Sequence, residues 1–369
     1  ILFPYTTLFR SILSLIVIFG YALLIGSFIR GWISLPEYKV TDVRKGPRVT
    51  IITPCKNELK HLPALFEAVK NQTYREFELI LVDDGSSDGS WGFASQFASG
   101  FPELKLIQNV GVGKKNAIKT AVLQSDSDLI ITLDADCVPP AGWLNAIVHF
   151  YQANPSDLII CPVNMNSGGS FFQEFQQFEF ASLIASGAGA VAMNMPILCN
   201  GANLAFRREA WLECMDNLHF EVPGGDDIFL LQSIKKRKGI IRFLKSVNAT
   251  VTTHSAVNLK SFIHQRRRWA SKKSAYTDWQ LALTAAVVFL ASFIVLLDFV
   301  LAIVQPQLFA LVLNIFLLKL LIDVSFFYKI SHFFGLKKVL LNTFVFSLIY
   351  PFYIVFTAIL SLVGSKKNW

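Results

Sequence analysis

The sequence predicts a mostly parallel, Rossmann-like α/β domain flanked by apolar helices that cross a membrane. Three observations predict it. Between residues 49 and 253, short β-branched runs alternate with helical stretches, the rhythm of βαβ units. Hydrophobic residues make up 53% of the 369 and charged residues only 16%, a lower charged share than soluble domains carry. Four apolar runs, each about long enough to cross a bilayer core, bracket the α/β stretch.

The chain begins at Ile1 rather than Met, and Ile1 to Arg10 is given no weight as part of the natural protein. Residues 11–29 are apolar and uncharged, and no small-residue cleavage site follows, so they read as an anchor rather than a signal peptide. Arg30, Lys39, Arg44, Lys45 and Arg48 follow, which by the positive-inside rule puts the next domain in the cytoplasm. Pro36, Gly46 and Pro47 mark a linker over 32–47.

Buried strands are expected at 49–53, 79–82, 104–107, 129–133 and 158–161, and helices at 62–70, 90–98, 114–124 and 142–151. Ligands in such sheets bind beyond the carboxyl ends of the strands. Residues 171–195, aromatic at first and small-residue-rich later, read as a helix flanking the site, not a span. Residues 259–279 are basic and aromatic, as in an interfacial helix. Spans are expected at 281–304, 308–328 and 339–363, with Lys329, His332, Lys337 and Lys338 in a cytoplasmic loop; Lys366 and Lys367 then fall on the wrong side. The domain plan is therefore 1–31 leader and anchor, 48–253 α/β domain, 254–280 interfacial segment and 281–369 three spans. Asp298 and Lys319 lie in adjacent spans and are expected to pair or to line a polar path.

The net charge of +8 gathers near the ends of apolar runs, which suits a membrane surface or an anionic substrate rather than nucleic acid. The five cysteines form no CxxC pair and read as reduced thiols.

Three acidic clusters carry the chemistry. Asp83 and Asp84 end a strand and open a Gly-Ser-Ser-Asp turn; the same residues also make an ordinary turn. Asp134 and Asp136 end the next buried strand at i and i+2, where both carboxylates approach one hard cation, Mg²⁺ or Mn²⁺. Asp226 and Asp227 follow Gly224 and Gly225; one of them either abstracts a proton from an acceptor hydroxyl or caps the helix after it. Gly111 to Asn116 enters a helix and suits phosphate, yet fails the P-loop and dinucleotide patterns. Gln265, Arg266, Arg267, Arg268 and Trp269 combine phosphate-binding guanidinium groups with a ring that stacks on sugar or anchors at the interface.

Pro54-Cys55-Lys56-Asn57-Glu58, the Asp83 turn, Gly113-Lys114, Asp134-Ala135-Asp136, Gly201-Ala202-Asn203, Gly225-Asp226-Asp227 and Gln265 to Trp269 occur in this order. The set resembles family 2 glycosyltransferases of the membrane-bound branch with a QxxRW motif, such as cellulose, chitin and hyaluronan synthases and ceramide glucosyltransferases. The resemblance implies a GT-A catalytic domain and inverting transfer from a nucleotide-sugar, a UDP-hexose or UDP-N-acetylhexosamine, to a glycan or lipid acceptor at the cytoplasmic membrane face. It implies that Pro54, Glu58, Asp83 and Asp84 line the nucleotide pocket, with Lys114 near the base or phosphates. Asp134 and Asp136 would hold metal and diphosphate, and Asp227 or Asp226 would be the base. Asn200, Gly201, Asn203 and Trp269 would meet the acceptor, and Gln265, Arg268 and Trp269 would close over the donor. Thr253-His254 stands where relatives often have Thr-Glu, and an export partner or oligomer is left open. The competing readings are a metal-dependent nucleotidyltransferase, which needs no QxxRW segment, and a non-catalytic membrane receptor or channel subunit, which needs no acidic strand ends.

Overall fold

The computed structural model describes residues 3–40, 45–270 and 278–362. In chain order the elements are α1 (Phe3–Ser34), β1 (Val49–Cys55), α2 (Leu62–Lys70), β2 (Phe77–Asp83), α3 (Ser90–Ala98), β3 (Leu104–Gln108), α4 (Lys114–Gln124), β4 (Leu129–Leu133), α5 (Trp143–Ala153), β5 (Leu158–Ile160) and β6 (Val163–Asn166). They continue with α6 (Phe171–Ala192), β7 (Asn203–Arg207), α7 (Arg208–Cys214), α8 (Asp226–Lys236), β8 (Ile241–Phe243), β9 (Val251–His254), α9 (Leu259–Ala270), α10 (Trp279–Val304), α11 (Phe309–Ser331), α12 (Lys337–Leu341) and α13 (Thr343–Leu362). The chain divides into two compact bodies, one of residues 35–168 with 196–255, the other of residues 1–34, 169–195 and 256–366.

The first body is the α/β domain. Its seven-stranded sheet runs β3-β2-β1-β4-β7-β5-β8, parallel except for β7, which is antiparallel to β4 and β5. β1 and β4 are buried at every residue, which is why they read as continuous apolar runs rather than alternating ones. α2 buries Leu62, Leu65, Phe66 and Val69, an i, i+3, i+4, i+7 stripe. The register sets Cys55 beside Asp83 and Asp83 beside Gln108, so the carboxyl ends of β1, β2 and β3 share one edge. A small parallel pair, β6 with β9, lies apart from the main sheet, and an isolated bridge joins Val138 to Thr252.

The second body is helical. Four of its helices are long and apolar enough to cross a membrane: Phe9–Ser34, Trp279–Val304, Pro306–Ser331 and Thr343–Leu360. Residues 171–195, expected within the α/β domain, supply α6 to this helical body instead. The cause lies in its small residues. A Cβ on Gly189 would run into the Phe28 backbone, and one on Gly31 into Gly189, so α1 and α6 cross backbone to backbone.

Three expectations are corrected here. The span expected at 339–363 is broken at Asn342, whose amide donates to Glu174 Oε2 at 2.7 Å; α12 precedes the break and α13 follows it. Asp298 does not pair with Lys319. Asp298 accepts from Arg10 at 2.8 and 3.1 Å and from the Ser14 hydroxyl at 3.0 Å, on α1. Lys319 instead pairs with Asp323 one turn later on its own helix at 2.6 Å, and Tyr21 Oη donates to the same carboxylate at 2.7 Å. Finally, Trp279 opens α10 rather than closing the basic helix, which is described as α9 over Leu259–Ala270; residues 271–277 of the expected interfacial segment lie outside the described residues, as do Arg44, Lys366 and Lys367.

Candidate active site

The site grows from the strand ends of the α/β body. β2 ends at Asp83, whose carboxylate accepts the backbone N–H groups of Gly85 and Ser86 at 3.2 and 3.1 Å and so closes the turn. Gly85 sits at φ 76°, in the left-handed region that this turn needs. Asp84 accepts from Lys56 Nζ at 3.1 Å, Asn109 Nδ2 at 2.5 Å and Gly113 N at 3.0 Å, tying β1, β3 and the glycine-rich loop together. The loop after β1 locks onto the same turn: Asn57 N, Glu58 N and Leu59 N donate to Ser86, Ser90 and Asp88. Pro54 is buried in β1.

β4 delivers Asp134 and Asp136. Both lie just past the end of β4, in a turn closed by Cys137 N–H to the Asp134 carbonyl at 3.0 Å; each is half-buried, and Ala135 between them is buried. Asp136 Oδ2 accepts from the Thr253 hydroxyl at 3.0 Å. The Val138–Thr252 bridge, closed by two hydrogen bonds of 2.9 and 3.0 Å, brings that hydroxyl there.

Lys114, at the start of α4, joins the second and third acidic clusters. Its Nζ lies 2.6 Å from Asp134 Oδ1 and 3.4 Å from Asp226 Oδ2. Burial works against the ammonium, but Asp134, Asp226 and Asp227 outweigh it and hold its pKa above the ordinary lysine value. Burial, with repulsion from Asp136 and Asp226, raises the Asp134 carboxyl despite Lys114. Asp227 Oδ2 accepts Gly201 N–H at 3.1 Å, and its Oδ1 accepts Ile228 N–H at 2.8 Å. Gly201 leaves this carboxylate its room: a Cβ would lie 2.7 Å from Asp226 Oδ2. Asn200 Oδ1 accepts from Ala202 N at 3.0 Å and shapes the same turn.

Glu58 hydrogen-bonds His61 Nδ1 at 2.6 Å, and the His61 ring stacks on His254 with centroids 5.6 Å apart. Burial raises the Glu58 carboxyl; His61 opposes the shift, and Asp136 and Asp134 add to it. Asp226 and Asp227, Asp134 and Asp136, and the residues around Glu58 therefore form one electrostatic neighbourhood.

Residues 50–215 match the model of glycosyl transferase family 2. That match covers the strand ends at Asp83, Asp84, Asp134 and Asp136. An undecaprenyl-phosphate 4-deoxy-4-formamido-L-arabinose transferase of Photorhabdus laumondii subsp. laumondii is 42% identical over 182 residues, 47% of this chain and 54% of that protein. Glycosyltransferase AglE of Haloferax volcanii is 31% identical over 137 residues, 36% of this chain and 45% of that protein. The chain thus spans about half the length of these curated relatives. The mannosyltransferase PcManGT of Pyrobaculum calidifontis, solved with GDP-Man and Mn²⁺, superposes with a TM-score of 0.54 over 92% of this chain and 98% of that one, at 18% identity. The fold is therefore GT-A-like.

Of the residues the sequence singled out, the structure brings together Glu58, Lys114, Asp134, Asp136, Gly201, Asp226 and Asp227. Asn203 is a correction. It is fully buried in β7, donates to the carbonyls of Pro162 and Ala249 at 2.8 Å each and accepts from Trp143 Nε1 at 2.9 Å. Its amide is spent inside the fold and does not face an acceptor. Gln265, Arg268 and Trp269 lie on α9 of the helical body. There Gln265 and Arg268 line an open groove with Asn258, Lys260, Ser261 and His264. The neighbouring Arg266 is buried, donating to Glu179 at 2.5 Å and to Tyr353 at 2.8 Å, with its guanidinium over the Trp269 ring at 4.2 Å.

Lys56, His61, Asn109, Thr253 and His254 join the site without having been singled out for it. Lys56 and Thr253-His254 had a signal in the motif order; His61 and Asn109 had none. All five cysteines are free, and burial, with Asp83, pushes the Cys55 thiol up to about 12.

The residues present fit a hard divalent cation. Asp134 and Asp136 offer carboxylate oxygens just beyond a strand end, and a cation of this kind completes its shell with phosphate and water rather than with a protein cage. No group of three or more His, Cys, Asp or Glu side chains is gathered as a cluster among the described residues.

Proposed function

We propose that this protein transfers a sugar from a nucleotide-sugar to a lipid or glycan acceptor at a membrane surface, with inversion at the anomeric carbon. The observation that carries the reading is the Lys114 ammonium set between Asp134 and Asp226, with Asp227 beside it, in a domain matching family 2. The relatives named for undecaprenyl-phosphate sugar transfer favour a lipid-linked acceptor, and the four apolar helices supply a membrane on which to meet it. The expected donors are a UDP-hexose or a UDP-N-acetylhexosamine; the PcManGT complex adds GDP-mannose to those worth testing.

The residues divide the work. Asp84, with Lys56 and Asn109, frames the nucleotide end of the site. Asp134 and Asp136 would hold Mg²⁺ or Mn²⁺, which supplies positive charge to the departing diphosphate. Lys114 adds a fixed cation beside them, where charge builds on the leaving group. Of the two carboxylates on α8, Asp226 faces Lys114, whereas Asp227 accepts only backbone N–H groups in the bonds given above and keeps lone pairs for a hydroxyl proton. We therefore assign the general base to Asp227 and a charge-balancing role to Asp226. The groove bearing Lys260, His264, Gln265 and Arg268 has the chemistry to take a phosphate group.

The test is donor turnover in membranes carrying the full chain, with UDP- and GDP-sugars and Mg²⁺ or Mn²⁺, followed by nucleotide release and product. Asp136→Ala and Asp227→Asn are each expected to abolish transfer while the protein still inserts, and chelation of the metal to do the same reversibly. Full activity in either variant sinks the site assignment.

A further inference from the structure

We infer that Lys115 is a positioning residue: it fills a cation site built from main-chain carbonyls and thereby holds the loop that carries the paired aspartates. Two consecutive lysines open α4 and part company. Lys114 goes to the carboxylates; Lys115 is only 6% exposed, and its Nζ donates to the carbonyl oxygens of Leu218, His219 and Val222 at 3.0, 2.6 and 2.8 Å. An ammonium has three N–H donors, and three carbonyls accept from them. The Phe229 ring, on α8, covers the same ammonium at 4.2 Å.

This placement runs against local preference. A cation at a helix N-terminus opposes the helix dipole, and a buried charge is costly unless it is bonded. A methionine would fill the space without either cost. What the lysine adds is a tether on residues 218–222, which have no strand or helix of their own. His219 sits there at φ 52°, with its ring 4.9 Å from Phe229. The loop runs straight into Gly224 and Gly225, at φ 68° and 76°, and then into Asp226 and Asp227. Lys115, Phe220, Asp226 and Asp227 also border one cavity of about 20 Å³, room for roughly one water. Slack in the loop therefore reaches the carboxylates directly.

The inference rests on the assignment of Asp227 as base, and the experiment separates the two. Full chain in lipid nanodiscs is compared as wild type, Lys115→Ala and Lys115→Arg, by amide hydrogen exchange and by steady-state transfer. In Lys115→Ala, exchange over 216–227 is expected to rise by about tenfold, with 129–133 unchanged. The kcat is expected to fall by roughly 10²-fold, with donor KM within about threefold. Ethylammonium chloride, but not potassium chloride or ethanol, should restore both saturably, and Lys115→Arg should keep most of both. Lys115→Met, which keeps the stem's packing, replaces the alanine variant if that one does not accumulate. Unchanged exchange over 216–227, or a loss that spreads to 129–133 without amine rescue, overturns the inference. A wild-type chain without donor turnover refutes the proposed function instead, and the exchange comparison still decides Lys115.

Discussion

Gly201→Ala is the sharpest probe of the geometry around the two aspartates on α8. Gly201 is not among the glycines held at positive φ, so alanine strains no backbone there. The added Cβ would lie 2.7 Å from Asp226 Oδ2, 3.3 Å from Asp227 Cβ and 3.4 Å from Lys114 Nζ. Ordinary contact begins at 3.4 Å, so the Asp226 carboxylate must retreat from the new Cβ by 3.4 − 2.7 = 0.7 Å, which displaces it within its pair with the Lys114 ammonium, 3.4 Å away. A misplacement on the order of 1 Å costs roughly 10²-fold in rate, so kcat should fall by about 10- to 100-fold. Stability should scarcely change, because Gly→Ala at a compatible φ contributes about 0.4–1 kcal/mol through the unfolded chain and so offsets the contact. The assay is donor turnover in nanodiscs alongside thermal unfolding of the same preparation. Wild-type kcat in Gly201→Ala refutes the argument. So does a rate loss that tracks a collapse in Tm, because the effect would then belong to folding.

Two further predictions follow from buried groups. Asn203→Ala leaves two carbonyls and the Trp143 indole N–H without their partner, at about 1–3 kcal/mol each, so it should lower stability by at least ~3 kcal/mol without a selective rise in acceptor KM; urea unfolding and acceptor titration check both halves. Lys319→Met strands the Asp323 carboxylate inside the helical body and should cost about 3–5 kcal/mol, whereas Lys319→Met with Asp323→Leu should recover most of the loss, as judged by thermal unfolding in detergent. Equal stability of the single and double variants would show that the pair is not a coupled buried unit.

Much of the α/β body was legible because its signals are local. The helices at 62–70, 90–98 and 114–124 and the strand at 129–133 form over the residues expected, since each is a short stretch whose apolar period does not depend on what it meets. β7 was not legible. Asn203–Arg207 is five residues with a polar residue at each end, and it is a strand because β4 and β5 flank it. The grouping of α6 was not legible either: its small residues serve a close backbone crossing that only the position of α1 reveals.

The candidate site divides along the same line. By itself, the sequence determined which carboxylates end which strands, because a buried apolar run followed by Asp leaves the charge nowhere to go but the strand's end. Only the tertiary structure decided the partners. It set Lys114 between Asp134 and Asp226, sent Lys115 to a carbonyl cradle, spent Asn203 on the core and paired Lys319 with Asp323 rather than with Asp298. Apart from Lys319–Asp323, one helical turn apart, each is a choice among donors and acceptors far apart in the chain. Hydrogen-bond distance is a property of the folded packing, and residue type and spacing do not encode it.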